Sequence, residues 1–432
     1  MDRTYPLDMP AWARAAVLLF LVFAVPSEVA GAGAQENGAR WIGTWAAAPQ
    51  PFMPGRLETF RNQTLRLILH TSIGGTRLRI RLSNTYGDGP LVIGGAHLAR
   101  RTAGPDVEPN SDRVVTFDGK PAVTVPKGAT IVSDAVQLAV PALSDLAISL
   151  YLPGETPAKT NHLLALQRSY VSPETGDSTG LAKFAAARTI RSWPFLTGVE
   201  VDAPSDGAAI VAFGDSKLDG DGSTADANHR WPDILAERLQ RDAKGARLGV
   251  LNEGIIGNRL LRDSPREPPT EFGDVFGESG LKRLDRDALG QPGVKFVVVS
   301  FGVNDLGLPG AIAPATESVT AADLIAGYRK LIASAHRHGV RIIGTTITPF
   351  ADAKTAPGYY TPEKEAVRNE VNTWMRGSRE FDGVVDLDQI LRDPDHPTRL
   401  LSAYDSGDHL HPNDAGYAAG AKAVPLSLLG IR

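Results

Sequence analysis

There is no cysteine among the 432 residues of this chain. That absence excludes disulfides, thiol nucleophiles, iron–sulfur clusters and cysteine-ligated zinc together. Positive charge is not in excess either: 45 basic and 49 acidic residues leave a formal net charge of −4. A nucleic-acid or anionic-membrane partner would call for a basic surface, so neither is expected. The sequence also lacks a His-Glu-x-x-His zinc signature and a Gly-x-x-x-x-Gly-Lys phosphate loop. No cofactor and no metal is therefore expected. Nothing in the composition sets an oligomeric state.

Long apolar runs are scarce. One lies at the N-terminus, where Arg14 precedes Ala15 to Val25, Pro26 breaks the run, and Ala32-Gly33-Ala34 offers a small-residue cleavage site. The run is about half the ~20 residues that a membrane-spanning helix needs. Residues 1–34 are read as a signal peptide, against a retained anchor as the alternative, so the protein is expected to be secreted or periplasmic with no stable membrane span after processing. A mature chain this long can bury a large core without disulfides.

From residue 41 to 202 the pattern is β-like. Leu65 to Ile73 and Thr76 to Leu82 are extended runs joined at Gly74-Gly75, and in the second Leu78, Ile80 and Leu82 alternate with Arg79 and Arg81. A period of two gives one buried and one wet face. Further short runs with turn residues between them predict an all-β, sandwich-like domain. No internal repeat stands out.

From residue 206 to 432 strands and helices alternate. Strands are predicted at Ala208–Phe213, Val250-Leu251, Val294–Ser300, Arg341–Thr346 and Val384–Leu387. Helices are predicted near Trp231–Asp242, Leu281–Leu289, Ala321–His338, Pro362–Arg379 and after Asn413. Such alternation means right-handed βαβ units around a parallel sheet of about five strands. The linker from Val201 to Gly207 contains Pro204 and reaches at most about 3.3–3.6 Å per residue. Two domains joined so closely are expected to share a packed interface.

Four motifs stand at or beyond the carboxyl ends of predicted strands or in the closing loop: Gly214-Asp215-Ser216, Gly257-Asn258, Gly302-Val303-Asn304-Asp305 and Asp408-His409-Leu410-His411-Pro412. That edge of an open parallel sheet is where ligands bind. Ser216 needs a base to become a nucleophile, and a neutral imidazole suits that task near pH 7. His411 is the candidate base. Asp408, three residues earlier, can fold back to hold the other imidazole N–H. Backbone N–H groups of Ser216 and Gly257 and the Asn304 amide are the candidate oxyanion donors. Asp215 is the rival acid, but a neighbour on an extended segment points away from Ser216.

Together these motifs resemble the SGNH hydrolases, also called the GDSL esterase/lipase family, whose four named residues correspond here to Ser216, Gly257, Asn304 and His411. The likeness runs from Ala208 to the C-terminus and is fullest at Phe213–Ser216, Arg230–Asp233 and Asn252–Arg259. Gly43-Thr44-Trp45-Ala46 resembles the opening strand of a secreted bacterial branch that carries an N-terminal β domain. Lys217 departs from the family, which has an apolar residue there. The resemblance implies a flavodoxin-like three-layer α/β/α domain and hydrolysis of carboxylic acyl esters, in small molecules or in polysaccharides. Short acyl or acetylated carbohydrate esters are favoured.

Each element has a plainer reading. Gly-Asp-Ser is a common turn, Asn304 could serve a turn, Asp408 a cap or ion pair, and His411 a structural loop. All four in order after the expected strands are harder to explain that way. Two other functions compete with this one. A non-enzymatic glycan-binding surface protein on a retired hydrolase fold leaves the complete residue set without a purpose. A metal-dependent phosphoesterase using Asp215, Asn304, Asp408 and His411 leaves Ser216 and Gly257 unexplained. A Gly-x-Ser-x-Gly elbow is missing, which argues against an α/β-hydrolase. His409 is read as lining the cleft or facing solvent, His336 and His338 as helix C-terminal residues, and His70 and His97 as structural.

Overall fold

The structure, a computed structural model, describes residues 40–242, 244–266 and 271–431. The expected signal segment lies outside these residues.

The first half is built on two large antiparallel sheets. One contains β1 (Arg40–Ala46), β3 (Gly75–Ser83) and β6 (Leu196–Ala203), in the order β1-β6-β3, with Thr130–Val132 and Val136–Val140 beyond β3. The other is built on β2 (Thr59–His70), β4 (Gly95–Ala103) and β5 (Asp145–Pro157), with β5 in the middle. Thus the two runs joined at Gly74-Gly75 lie in different sheets. Both are apolar on the face toward the other sheet, so a crossover lets each bury that face. Leu65, Leu67 and Leu69 of β2 join Ile148 and Leu150 of β5, and Leu78, Ile80 and Leu82 of β3, in one core. Ile68 and Ala147 point the other way, into a smaller cluster with Tyr170 and Phe184. This is the period-two alternation of a sandwich.

The second half has a five-stranded parallel sheet: β7 (Ala208–Gly214), β8 (Leu248–Gly254), β9 (Val294–Ser300), β10 (Arg341–Thr345) and β11 (Gly383–Val385), ordered β8-β7-β9-β10-β11. Ile210 and Ala212 of β7 face a core with Trp231 and Leu235 of α1 (Trp231–Gln240), while Ala209, Val211 and Phe213 face the other. That second core contains Leu324 and Tyr328 of α2 (Ala321–Arg337) and Val371 and Met375 of α3 (Pro362–Ser378). A last helix, α4 (Asp414–Lys422), follows Asn413, whose side chain caps it by accepting from Gly416 N–H. The predicted helix over 281–289 is present as one α-helical turn, Gly280–Arg283, running into a wider π-helical segment, Leu284–Leu289. After β7 the chain goes to one neighbour, β8, then crosses back to the other, β9. The crevice at that reversal is the expected ligand site.

The two halves are packed, not tethered. The turn between β6 and β7 closes with Gly207 N–H donating to the Pro204 carbonyl at 2.9 Å. β1 lies against β8 so tightly that a Cβ on Gly43 would fall 2.6 Å from Leu251 and one on Gly249 2.2 Å from the Gly43 carbonyl. Neither position admits a side chain. Val250 N–H donates to Ser72 Oγ at 2.9 Å, and Ser72 in turn donates to the Thr44 carbonyl at 2.6 Å. The main hydrophobic core runs without a break from the sandwich, through Ile42 and Ile73, to Phe213 and Leu251. Among the described residues no helix is long and apolar enough to cross a membrane.

Candidate active site

β7 ends at Gly214, and the chain turns at once into a short helix, Ser216–Asp219. Asp215 caps that turn, accepting the Lys217 N–H at 3.0 Å. It orders the loop, and burial raises its pKa. Ser216 is 3% exposed. Its Oγ lies 2.8 Å from His411 Nε2. His411 Nδ1 lies 2.6 Å from Asp408 Oδ2. The acid and the imidazole share a tight loop: Asp408 Oδ1 accepts the backbone N–H groups of Leu410 at 2.9 Å and His411 at 2.8 Å, and the hydroxyl of Ser406 at 3.0 Å. Burial works against ionisation of Asp408, but the His411 hydrogen bond and charge and these backbone donors outweigh it. Its carboxyl is held well below the usual carboxylate range. A second carboxylate, Asp221, comes to 3.7 Å from His411 Nε2.

Gly257 has φ +70°, and a Cβ there would sit 2.3 Å from the Phe276 ring. Backbone conformation and Phe276 thus already demand glycine, apart from any approach of substrate. The next residue, Asn258, is fully buried, and its amide donates to the carbonyls of Phe276 at 2.6 Å and Glu278 at 2.8 Å. Asn304 Nδ2 donates to the Asn258 carbonyl at 3.0 Å, and its Oδ1 accepts from the Tyr359 hydroxyl at 2.7 Å. One amide N–H of Asn304 is thereby used, and the ring hydroxyl fixes which way the amide faces. Asp305 accepts the N–H groups of Leu260 and Leu261 at 2.8 and 2.9 Å, tying the loop after Gly257 to the Asn304 turn. Burial pushes its carboxyl up to about 6.

Beneath these loops lies Arg283, with no exposed surface. Its guanidinium donates to Gly214 O at 2.7 Å, Glu253 O at 2.9 Å and Asn258 Oδ1 at 2.9 Å, and stands 4.2 Å from the centre of the Phe213 ring. One side chain therefore joins the segment before Ser216 to the segment around Gly257. Lys217 is also buried, and desolvation lowers its pKa against the attraction of Asp215 and Asp408.

The structure brings Ser216, His411 and Asp408 together, and places Asn304 against the loop that carries Gly257. His409 is partly exposed and paired with Asp405. His336 and His338 sit at the end of α2, on Asp382 and on the Ser334 carbonyl, and His70 and His97 pair with Asp145 and Asp112. Tyr359 and Arg283 had no motif to announce them. An arginine in a half-apolar helical stretch was the one weak signal for Arg283. Among the described residues no group of three or more His, Asp or Glu is placed to hold a metal ion.

A parallel sheet with Ser, Gly, Asn and His at its carboxyl edge defines the SGNH hydrolase fold. Residues 212–419 match the model of the GDSL-like Lipase/Acylhydrolase family, and this part of the chain is a domain of that family, a carboxylic ester hydrolase. No curated protein matches the chain. Similar solved structures include the aryl esterase of M. smegmatis, 17% identical, covering 52% of this chain and 100% of its own, with a TM-score of 0.39. Another is a carbohydrate acetylesterase from Sinorhizobium meliloti, 15% identical, covering 52% and 100%, with a TM-score of 0.38.

Proposed function

We propose that the protein is a serine esterase that hydrolyses carboxylic acyl esters, with Ser216 as nucleophile, His411 as base and Asp408 as the acid that orients it. The observation that carries this reading is the continuous line Ser216 Oγ–His411 Nε2 at 2.8 Å and His411 Nδ1–Asp408 Oδ2 at 2.6 Å. His411 takes the Ser216 proton as Oγ attacks the ester carbonyl. The carbonyl oxygen becomes an oxyanion, held by the Ser216 and Gly257 N–H groups and the Asn304 amide; each such donor is worth about 2.7–4 kcal/mol. Collapse expels the alcohol, which leaves with the proton from His411. A water then repeats the sequence on the acyl-enzyme: His411 takes its proton, the acid is released, and Ser216 recovers its hydrogen. Asp408, kept ionised by its hydrogen bonds, stabilises the imidazolium that forms twice per turnover.

Short acyl or acetylated carbohydrate esters are the favoured substrates within this reading, and a secreted or periplasmic location goes with the N-terminal segment. The test is Ser216→Ala against a panel running from acetyl to long acyl esters, with acetylated xylan and pectin beside it. A folded variant without activity is expected, while one that keeps more than a few per cent would remove Ser216 from the mechanism. N-terminal sequencing of exported protein tests the processing site.

A further inference from the structure

His162 belongs to the β-rich half, far from the four motifs in sequence, yet its ring meets the short helix that Ser216 opens. It is 3% exposed. Nδ1 lies 2.9 Å from the Ala48 carbonyl, and Nε2 lies 2.9 Å from Asp219 Oδ1. Its backbone exchanges hydrogen bonds with Trp193, whose ring lies against the imidazole with centroids 5.6 Å apart. Trp193 is in turn set edge-on to Trp45, and the Arg230 guanidinium stands 5.6 Å from its centre. The ring has no freedom to turn.

Asp219 closes the helical turn that Ser216 opens. While Oδ1 meets His162, Oδ2 accepts the Ile256 N–H at 3.0 Å. Ile256 immediately precedes Gly257. The Asp219 carbonyl takes the Asn252 amide at 3.4 Å, and a Cβ on Gly254 would strike the Asp219 nitrogen at 2.2 Å. One carboxylate therefore joins the nucleophile turn to the oxyanion loop, and its other oxygen rests on a histidine from the other half of the molecule.

We propose that His162 is a positioning residue, supplied by the β-rich half, that holds Asp219 and through it the spacing between Ser216 and the Gly257 N–H. This rests on the esterase reading above, and it makes the β-rich half a contributor to turnover and not only a wall. The charged groups around the pair are Asp219 itself, Arg230 behind Trp193, and Asp221 two residues on from Asp219.

The experiment compares His162→Gln, which keeps a donor for Asp219, with His162→Leu, which is of similar size and has none. Active sites are first counted by titration with an alkylphosphonate ester, and kcat is expressed per titrated site on a small soluble ester. The expected result is a loss in kcat of at least about tenfold for the Leu variant with KM within about twofold, since misplaced reacting groups cost rate rather than affinity. The Gln variant recovers most of that loss. Equal kcat in wild type and the Leu variant, or an equal loss in both variants, overturns the proposal. Should the Leu variant not fold, His162→Met, likewise without a donor, takes its place in the same comparison, with the same outcomes for and against. Failure of the phosphonate to label Ser216 in wild type would instead sink the esterase reading, a separate outcome.

Discussion

The Tyr359 hydroxyl donates to Asn304 Oδ1 at 2.7 Å, and the two residues are 55 positions apart in the chain. Tyr359 comes from the loop before α3, with 1% of its surface exposed, and its ring is set edge-on to Phe350. The bond leaves the Asn304 nitrogen facing the Asn258 carbonyl and the cleft. Asn304→Ala should lower kcat by about 10²–10³ with little change in KM, because the lost donor acts mainly on the transition state. Tyr359→Phe should produce a smaller fall, about tenfold, since the amide survives but loses its orientation. Steady-state kinetics on one soluble ester checks both. An unchanged kcat with a raised KM for Asn304→Ala would assign it to substrate binding alone.

Asp408, the proposed triad acid, has its carboxyl held ionised by its hydrogen bonds. Its folded pKa lies below its unfolded value of about 3.9. A depressed carboxyl contributes stability that is complete above the unfolded value and is lost as pH falls through the folded one. Asp408→Asn should therefore melt below wild type at neutral pH, with the gap closing in strong acid. Its kcat should fall by about 10⁴, the cost of the wrong imidazole tautomer. Melting curves from pH 7 to 2 and kinetics at pH 7.5 test the two parts. A gap that widens in acid would contradict the first.

Lys217 shows the opposite sign. Burial lowers its pKa, so the folded state disfavours the charged form. That penalty is full below the folded pKa and vanishes as pH rises toward the unfolded value of about 10.4. Lys217→Leu should raise the melting temperature at pH 7, with the gain shrinking by pH 10. A variant less stable than wild type at pH 7 would show that attraction by Asp215 and Asp408 outweighs desolvation.

The two halves should not be separable. Residues 205–432 alone would expose Leu251, now packed on Gly43, and would strip His162 from Asp219 and the Ala165 carbonyl from Arg230, a 3.5 Å contact. Aggregation or a lowered melting temperature is expected, with reduced turnover of a small soluble ester. A soluble fragment with full activity and unchanged melting would make the β half an accessory.

The residues of the candidate site were legible because each lies in a short local signal. Ser216 comes just after an apolar run, His411 follows Asp408 by one tight loop, and Asn304 lies in the short turn after a strand that holds three valines in a row. The parallel sheet was legible for the same reason: alternating apolar strands and amphipathic helices record their own burial. What holds those residues in place was not. His162 and Asp219 are 57 positions apart, and Arg283 reaches Gly214 across 69. No spacing rule marks such pairs, because a histidine on an acid or an arginine on carbonyls satisfies hydrogen bonds that exist only after two distant segments have met. The exchange of β2 and β3 between sheets is of the same kind, since period-two alternation names a buried face but not the sheet that covers it. The sequence by itself determined the chemical groups and the strands that present them. Tertiary packing alone decided how those groups are aimed, because orientation comes from buried partners that proximity, not order along the chain, selects.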